Sequence, residues 1–232
     1  MLLNHVRRGA GAPVVLVHGL GGSARWWRAT AAELARDHRV IVPELPGFGY
    51  RTGGRRFALA DATAVLGGLL ERLGHERADL VGHSLGALAC LTAAAAEPAR
   101  VRRLVLIAPP VRTASPRMAG NVLPVIRTLL RLPPAGALTV VGDIAMRSPA
   151  ALLRAAGEVL ALDGDPGIGA EPPVPTLVMW GARDALVPIG GAGWVTRTLP
   201  RAEISVIPGA GHVPMLDRPA EVNAALRRFL TG

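Results

Sequence analysis

Three residues far apart in the chain, Ser84, Asp184 and His212, have the types and local settings for covalent acyl chemistry. Ser84 sits in Gly82-His83-Ser84-Leu85-Gly86, between an apolar run ending at Gly82 and an alanine-rich stretch reaching Ala96. A serine at such a strand-to-helix elbow must occupy a tight, strained turn for its hydroxyl to project from the sheet edge. Gly82 and Gly86 remove side chains that would collide there, and small Ala87 allows close helix–strand packing. A serine hydroxyl is a weak nucleophile and needs an adjacent base. With this elbow the expected chain order is serine, acid, histidine. Asp184, in Trp180-Gly181-Ala182-Arg183-Asp184, and His212, in Pro208-Gly209-Ala210-Gly211-His212, stand in that order, each after a strand candidate. A carbonyl oxygen that gains negative charge also needs donors. The glycines of His18-Gly19-Leu20-Gly21-Gly22 let the backbone curl toward the elbow, so the Leu20 and Leu85 amides are the candidate oxyanion hole.

The competing residues have poorer settings. His5, His38 and His75 fall on surface turns or strand ends, and His18 and His83 lie inside motifs whose backbone carries the function. Asp163 and Asp165 fall near a helix terminus in a segment without strands. The alternative place for the acid holds Ala108-Pro109-Pro110, with no carboxylate. No histidine has a partner at zinc-like spacing. The lone Cys90 reads as a core residue; it excludes an intrachain disulfide and fits a reducing compartment. Gly19-Leu20-Gly21-Gly22-Ser23-Ala24 also fits the glycine pattern of a dinucleotide-binding turn, with Glu44 where a ribose-binding acid would stand. That reading makes the Ser84, Asp184 and His212 stations coincidences. No cofactor and no metal are expected.

Positioning these residues requires a sheet whose strand ends converge. Strand candidates are Leu2–Arg7, Val14–His18, Arg39–Val42, Ala78–Gly82, Arg103–Ala108, Thr176–Trp180 and Glu203–Ile207, several apolar almost throughout. Such runs alternating with helical stretches predict an α/β fold with a mostly parallel sheet of about seven strands, covered by helices on both faces. Ala62, Val65, Leu66, Leu69, Leu70 and Leu73 recur at helical spacing before Gly74, and Val222, Leu226, Phe229 and Leu230 form a second stripe after Pro219. From Pro110 to Pro173 no strand is visible. Ser148-Pro149 predicts a helix start, Leu152, Leu153, Ala156, Val159 and Leu160 line one face, and Gly164 ends the run. An earlier helical piece lies near Val125 to Leu132. The expected organisation is a core of residues 1–109 and 174–232 with a helical lid at 110–173, entered again through the proline-rich Glu171–Pro175.

The chain has 232 residues, 50% hydrophobic, enough for one sizeable core. Its net charge is +9, yet all 26 basic residues are arginine, they are scattered, and aromatics make up 3%. Neither a clustered footprint nor a stacking platform for nucleic acid is present. No apolar run approaches bilayer length, and Arg7 and Arg8 are followed by no signal-peptide core, so a cytoplasmic location without stable membrane association is expected. In the lid, Arg127 and Arg131 are four apart and share a helix face. They read as solvated surface; the sharper alternative is a lid arginine at the pocket mouth gripping a carboxylate-bearing substrate. Val125, Ile126, Leu129 and Leu130 are expected to pack downward.

These motifs together resemble the α/β-hydrolase superfamily, in particular its compact, lid-bearing esterase, lactonase and C–C hydrolase branch. The matching marks are His18-Gly19 with its glycines, Glu44-Leu45-Pro46-Gly47-Phe48-Gly49, the Ser84 elbow, Gly181-Ala182-Arg183-Asp184 and Gly211-His212. Glu44 stands where relatives usually carry aspartate, and one strand candidate precedes Val14 where relatives usually have two. The resemblance implies a cofactor-independent serine hydrolase acting on a small, largely apolar molecule. It leaves open a non-hydrolytic member (a receptor, lyase or cyclase), the scissile bond and the oligomeric state.

Overall fold

Seven strands pair into one sheet in the computed structural model, which describes residues 5–45, 59–110, 118–161 and 170–232. They are β1 (His5–Arg8), β2 (Ala12–Val17), β3 (His38–Pro43), β4 (Ala78–His83), β5 (Val101–Ile107), β6 (Thr176–Gly181) and β7 (Glu203–Ile207). The order across the sheet is β1-β3-β2-β4-β5-β6-β7. β1 pairs antiparallel with β3, and the six remaining strands are mutually parallel.

The helices are α1 (Arg28–Leu34), α2 (Leu59–Arg72), α3 (Leu85–Ala96), α4 (Val122–Arg131), α5 (Pro134–Ala145), α6 (Pro149–Ala161), α7 (Ala192–Thr198), α8 (Pro214–Asp217) and α9 (Pro219–Thr231). Alternate residues of β2 show why the strand reads as continuously apolar. Val15 and Val17 pack with Leu66 and Leu70 of α2 and Leu91 of α3, whereas Val14 and Leu16 pack with Leu34 of α1 and Leu226 of α9. Both faces are covered, so neither set of side chains can be polar. Gly74 ends the α2 segment with φ +69°, a conformation that favours glycine.

The expected strands fall in place, with ends displaced by a few residues at most. Of Leu2–Arg7, the described part starts at His5 and runs on to Arg8. α4, α5 and α6 all lie between β5 and β6, where the sequence shows no strand. α6 starts at Pro149 as the Ser148-Pro149 pair predicts, but α5 was not anticipated. Leu130 is 80% exposed, against the expectation that it packs downward. Pro46 to Gly49, Arg112, Arg117, Asp163, Gly164 and Asp165 lie outside the described residues. Among the described residues no helix is long and apolar enough to cross a membrane.

The sheet order sets the place of any site. From β2 the chain first goes to β3 on one side, then crosses to β4 on the other. Loops leaving β2 and β4 therefore part in opposite directions and open a crevice at their C-terminal ends. Val17 is opposite Gly82 and Gly181 opposite Ile207, so the loops after β2, β4, β6 and β7 emerge along one edge.

Candidate active site

Ser84 occupies the turn between β4 and α3 with φ 51° and ψ −120°, a strained backbone for a residue with a side chain. The turn is fixed by bonds on both sides. The Ser84 amide donates to the Ile107 carbonyl (2.8 Å), and the Ser84 carbonyl accepts from the Ala87 amide (2.8 Å). A Cβ on Gly82 would lie 2.3 Å from the Gly86 carbonyl oxygen, and one on Gly86 would lie 2.5 Å from the His18 carbonyl oxygen. Only glycine fits at either flank.

His212 and Asp184 come to the same place from the loops after β7 and β6. His212 Nε2 lies 3.3 Å from Ser84 Oγ, and Nδ1 donates to Asp184 Oδ2 at 2.8 Å. Asp184 Oδ1 accepts from the Leu186 amide (2.9 Å) and the Val187 amide (2.8 Å). Its carboxylate is therefore oriented by the backbone on one side and the imidazole on the other. The two loops touch closely: a Cβ on Gly181 would lie 2.1 Å from the Gly211 carbonyl oxygen. The Gly211 amide donates to buried Asp217 Oδ2 (2.6 Å), which fixes the histidine loop from below.

The loop after β2 passes directly over the elbow. A Cβ on Gly19 would lie 3.1 Å from Ser84 Cβ and 2.7 Å from His83 Nδ1. Leu20 and Leu85 border a cavity of about 440 Å³ together with Ser84 and His212. Val125, Ile126 and Leu129 of α4, Val140 and Ile144 of α5 and Leu152 of α6 line its outer wall. Among the described lining residues none carries a fixed charge. Arg127, Arg131 and Arg154 are exposed and do not line it.

The model of the alpha/beta hydrolase family matches residues 14–225. The chain belongs to the alpha/beta hydrolase family. One relative, the 2-hydroxy-6-oxo-2,4-heptadienoate hydrolase of Pseudomonas putida, is 47% identical over 104 residues, which span 43% of this chain and 38% of that protein. The chain thus covers well under half of that relative's length. The pimeloyl-(acyl-carrier protein) methyl ester esterase of Edwardsiella ictaluri is 32% identical over 245 residues, covering 94% of this chain and 93% of the relative. Among solved structures, a thermophilic esterase of Thermogutta terrifontis superposes with a TM-score of 0.83 at 28% identity, covering 99% of this chain and 93% of that one. These relatives support a hydrolytic role.

Within this fold, several side chains make contacts that the sequence did not reveal. His83 is not a spectator beside the elbow. Its Nε2 donates to the His212 backbone carbonyl at 2.8 Å, with the two rings 5.0 Å apart. Burial, reinforced by the neighbouring His212, holds the His83 pKa well below the ordinary histidine value, so the ring is neutral. His18 is also neutral, its pKa pushed down to about 4 by burial. Its Nε2 accepts from the Leu45 amide (3.1 Å), which leaves Nδ1 to donate to the Gly19 carbonyl (2.9 Å). His38, expected on a strand end, is there but buried, with Nδ1 2.7 Å from Asp37.

Glu44 Oε1 accepts from the Ala24 amide (2.9 Å), tying the end of β3 to the loop after β2. Trp26 and Trp27 are both buried in the core, and Trp26 also borders the pocket. Cys90 is fully buried, and burial raises its thiol pKa far above the usual range, which suits a core residue. Arg147, an arginine of the insertion, is buried (8% exposed) and donates to the Gly22 carbonyl at 3.0 Å.

Proposed function

We propose that this chain is a cofactor-independent serine hydrolase cleaving a neutral carboxylic ester, with Ser84 as nucleophile, His212 as base and Asp184 as orienting acid. The observation that carries the reading is the hydrogen-bonded line from Asp184 through His212 to Ser84, ending at the apolar cavity. Ser84 Oγ adds to the substrate carbonyl carbon while His212 Nε2 takes its proton. The Leu20 and Leu85 amides receive the tetrahedral oxyanion. As the tetrahedral species collapses, His212 returns the proton to the departing alkoxide. Water, deprotonated by the same imidazole, then releases the acid from Ser84. Residues 110–173 act as a lid whose helices supply the outer pocket wall and limit water entry.

The pocket lining favours the ester over the carboxylate-bearing dienoate named for the Pseudomonas relative. Among the described lining residues, valine, leucine and isoleucine predominate and no cation stands, and a carboxylate buried against such side chains loses its hydration uncompensated. Ester hydrolysis also matches the Edwardsiella and Thermogutta relatives, which align over nearly the whole chain. The test is a panel of neutral acyl esters, anionic esters, lactones and vinylogous diketones, run with wild type and Ser84→Ala beside fluorophosphonate labelling. Turnover of neutral esters, lost in Ser84→Ala together with the single label, is the expected result. Labelling at another serine, or faster cleavage of diketones than of esters, overturns it.

A further inference from the structure

The loop that carries Leu20 is held from two directions. From the sheet side, Glu44 accepts the Ala24 amide and His18 accepts the Leu45 amide. From the helical insertion come two ionisable side chains that the mechanism above does not use. Asp143, near the end of α5, is fully buried; its Oδ2 accepts from Ser23 Oγ (2.7 Å) and its Oδ1 from Arg25 Nε (3.2 Å). Arg147, just beyond α5, donates from Nη2 to the Gly22 carbonyl (3.0 Å) and lies 3.9 Å from Glu44 Oε2. The Gly22 amide in turn donates to the Gly19 carbonyl (3.0 Å), closing a turn with Leu20 inside it.

Burying a carboxylate and a guanidinium is a poor way merely to hold two layers together. Desolvation offsets most of the attraction, and apolar side chains would serve as well. What such groups add is direction, because each bond fixes a donor to an acceptor at one distance and angle. The three bonds just named from Asp143 and Arg147 end on residues 22, 23 and 25, immediately after the proposed oxyanion donor.

We propose that Asp143 and Arg147 are positioning residues for the oxyanion hole, holding the Gly19–Gly22 turn so that the Leu20 amide faces the tetrahedral intermediate. The insertion is then more than a pocket wall. Seating it completes the donor set, and lifting it releases the turn. This inference rests on the proposed acyl chemistry at Ser84.

The experiment compares an oxygen ester with its thionoester in wild type, Asp143→Asn, Arg147→Met, Arg147→Lys and Ser23→Ala. Amide donors aimed at an oxyanion serve the larger, weakly accepting sulfur poorly, so wild type should strongly prefer the oxygen ester. In Asp143→Asn and Arg147→Met, kcat for the oxygen ester should fall by about 10- to 100-fold, the order expected for small misplacement of a catalytic group. KM should change little, the oxygen-to-sulfur preference should shrink in parallel, and Arg147→Lys should recover part of both. If Asp143→Asn does not fold, Ser23→Ala and Arg147→Met carry the same ratio. An unchanged ratio in folded variants, whether kcat holds or falls, overturns the positioning role and leaves the pair as structural ties. Ser84→Ala, run alongside, separates the two failures: an active Ser84→Ala would overturn the acyl chemistry itself.

Discussion

At the scale of single residues, the three candidate catalytic residues are each held by more than one contact. His212 is the most constrained. Asp184 orients its ring, Asp217 fixes the preceding amide, and His83 holds its carbonyl. Replacing His83 with phenylalanine keeps a ring of similar bulk and leaves that carbonyl without its donor. A buried acceptor stripped of its partner costs about 1–3 kcal/mol. We expect His83→Phe to melt lower and to lose at least ~10-fold in kcat, since a displaced base costs rate before it costs binding. The proposed mechanism also requires neutral His212, so kcat/KM should fall on the acid side. Because burial keeps His83 neutral, that acid limb should persist in His83→Phe; its disappearance would reassign the base. Ser84, Asp184 and His212 were visible in the sequence because each follows a strand candidate inside a short glycine motif. His83 was not, because its partner is a backbone carbonyl 129 residues away, and a carbonyl has no sequence signature.

At the scale of elements, close backbone approach does as much as hydrogen bonding. Gly181 and Gly157 make a controlled pair. A Cβ at Gly181 would meet two carbonyl oxygens of the His212 loop, at 2.1 and 2.5 Å, so the loops after β6 and β7 would have to part. Overpacking of this kind costs roughly 1–3 kcal/mol or more. Gly181→Ala should lower the melting temperature and cut kcat by on the order of 10²-fold, as Asp184 and His212 separate. A Cβ at Gly157, inside α6, meets nothing within 4 Å. Gly157→Ala should stabilise by up to ~1 kcal/mol, the difference in helix propensity, read from a denaturant midpoint with activity retained. A destabilised Gly157→Ala beside a wild-type-like Gly181→Ala would invert this assignment of tight and open positions. The elements themselves were mostly legible, since a strand covered on both faces must be apolar throughout. α5 was the exception. Gly136, Thr139 and Gly142 lower its propensity, and its apolar residues lie on all sides, so no amphipathic stripe marks it. Missing α5 meant missing Asp143, whose partners Ser23 and Arg25 are about half a chain away. Arg147 was hidden by company, one arginine among 26.

At the scale of the whole molecule, the pH dependence of folding follows from a histidine that the fold refuses to protonate. His18 is fully buried between β2 and the end of β3, and its pKa falls from 6.5 to about 4. Above pH 6.5 the ring is neutral whether the chain is folded or unfolded, and the group contributes no pH dependence. Between 6.5 and 4 the unfolded chain takes up a proton that the folded chain does not, so stability must fall as pH falls. The slope approaches 1.36 kcal/mol per pH unit for one such group, or about 3 kcal/mol across the window. Below pH 4 both states bind the proton and the loss levels off. Against a typical total stability of about 5–15 kcal/mol this is a large share, and His83, whose pKa is lowered too, acts in the same direction. Protonating His18 would also cost the bond its Nε2 accepts from the Leu45 amide, so the oxyanion loop and the fold weaken together. The measurement is a pair of denaturant titrations at pH 7.5 and 4.5 on wild type and His18→Gln, which keeps a donor and an acceptor but cannot titrate. Wild type should lose about 2–3 kcal/mol more than the variant over that interval, whatever the variant's stability at neutral pH. Parallel losses would mean that His18 is protonated inside the fold, and its hydrogen bonds to Gly19 and Leu45 would then need a different assignment.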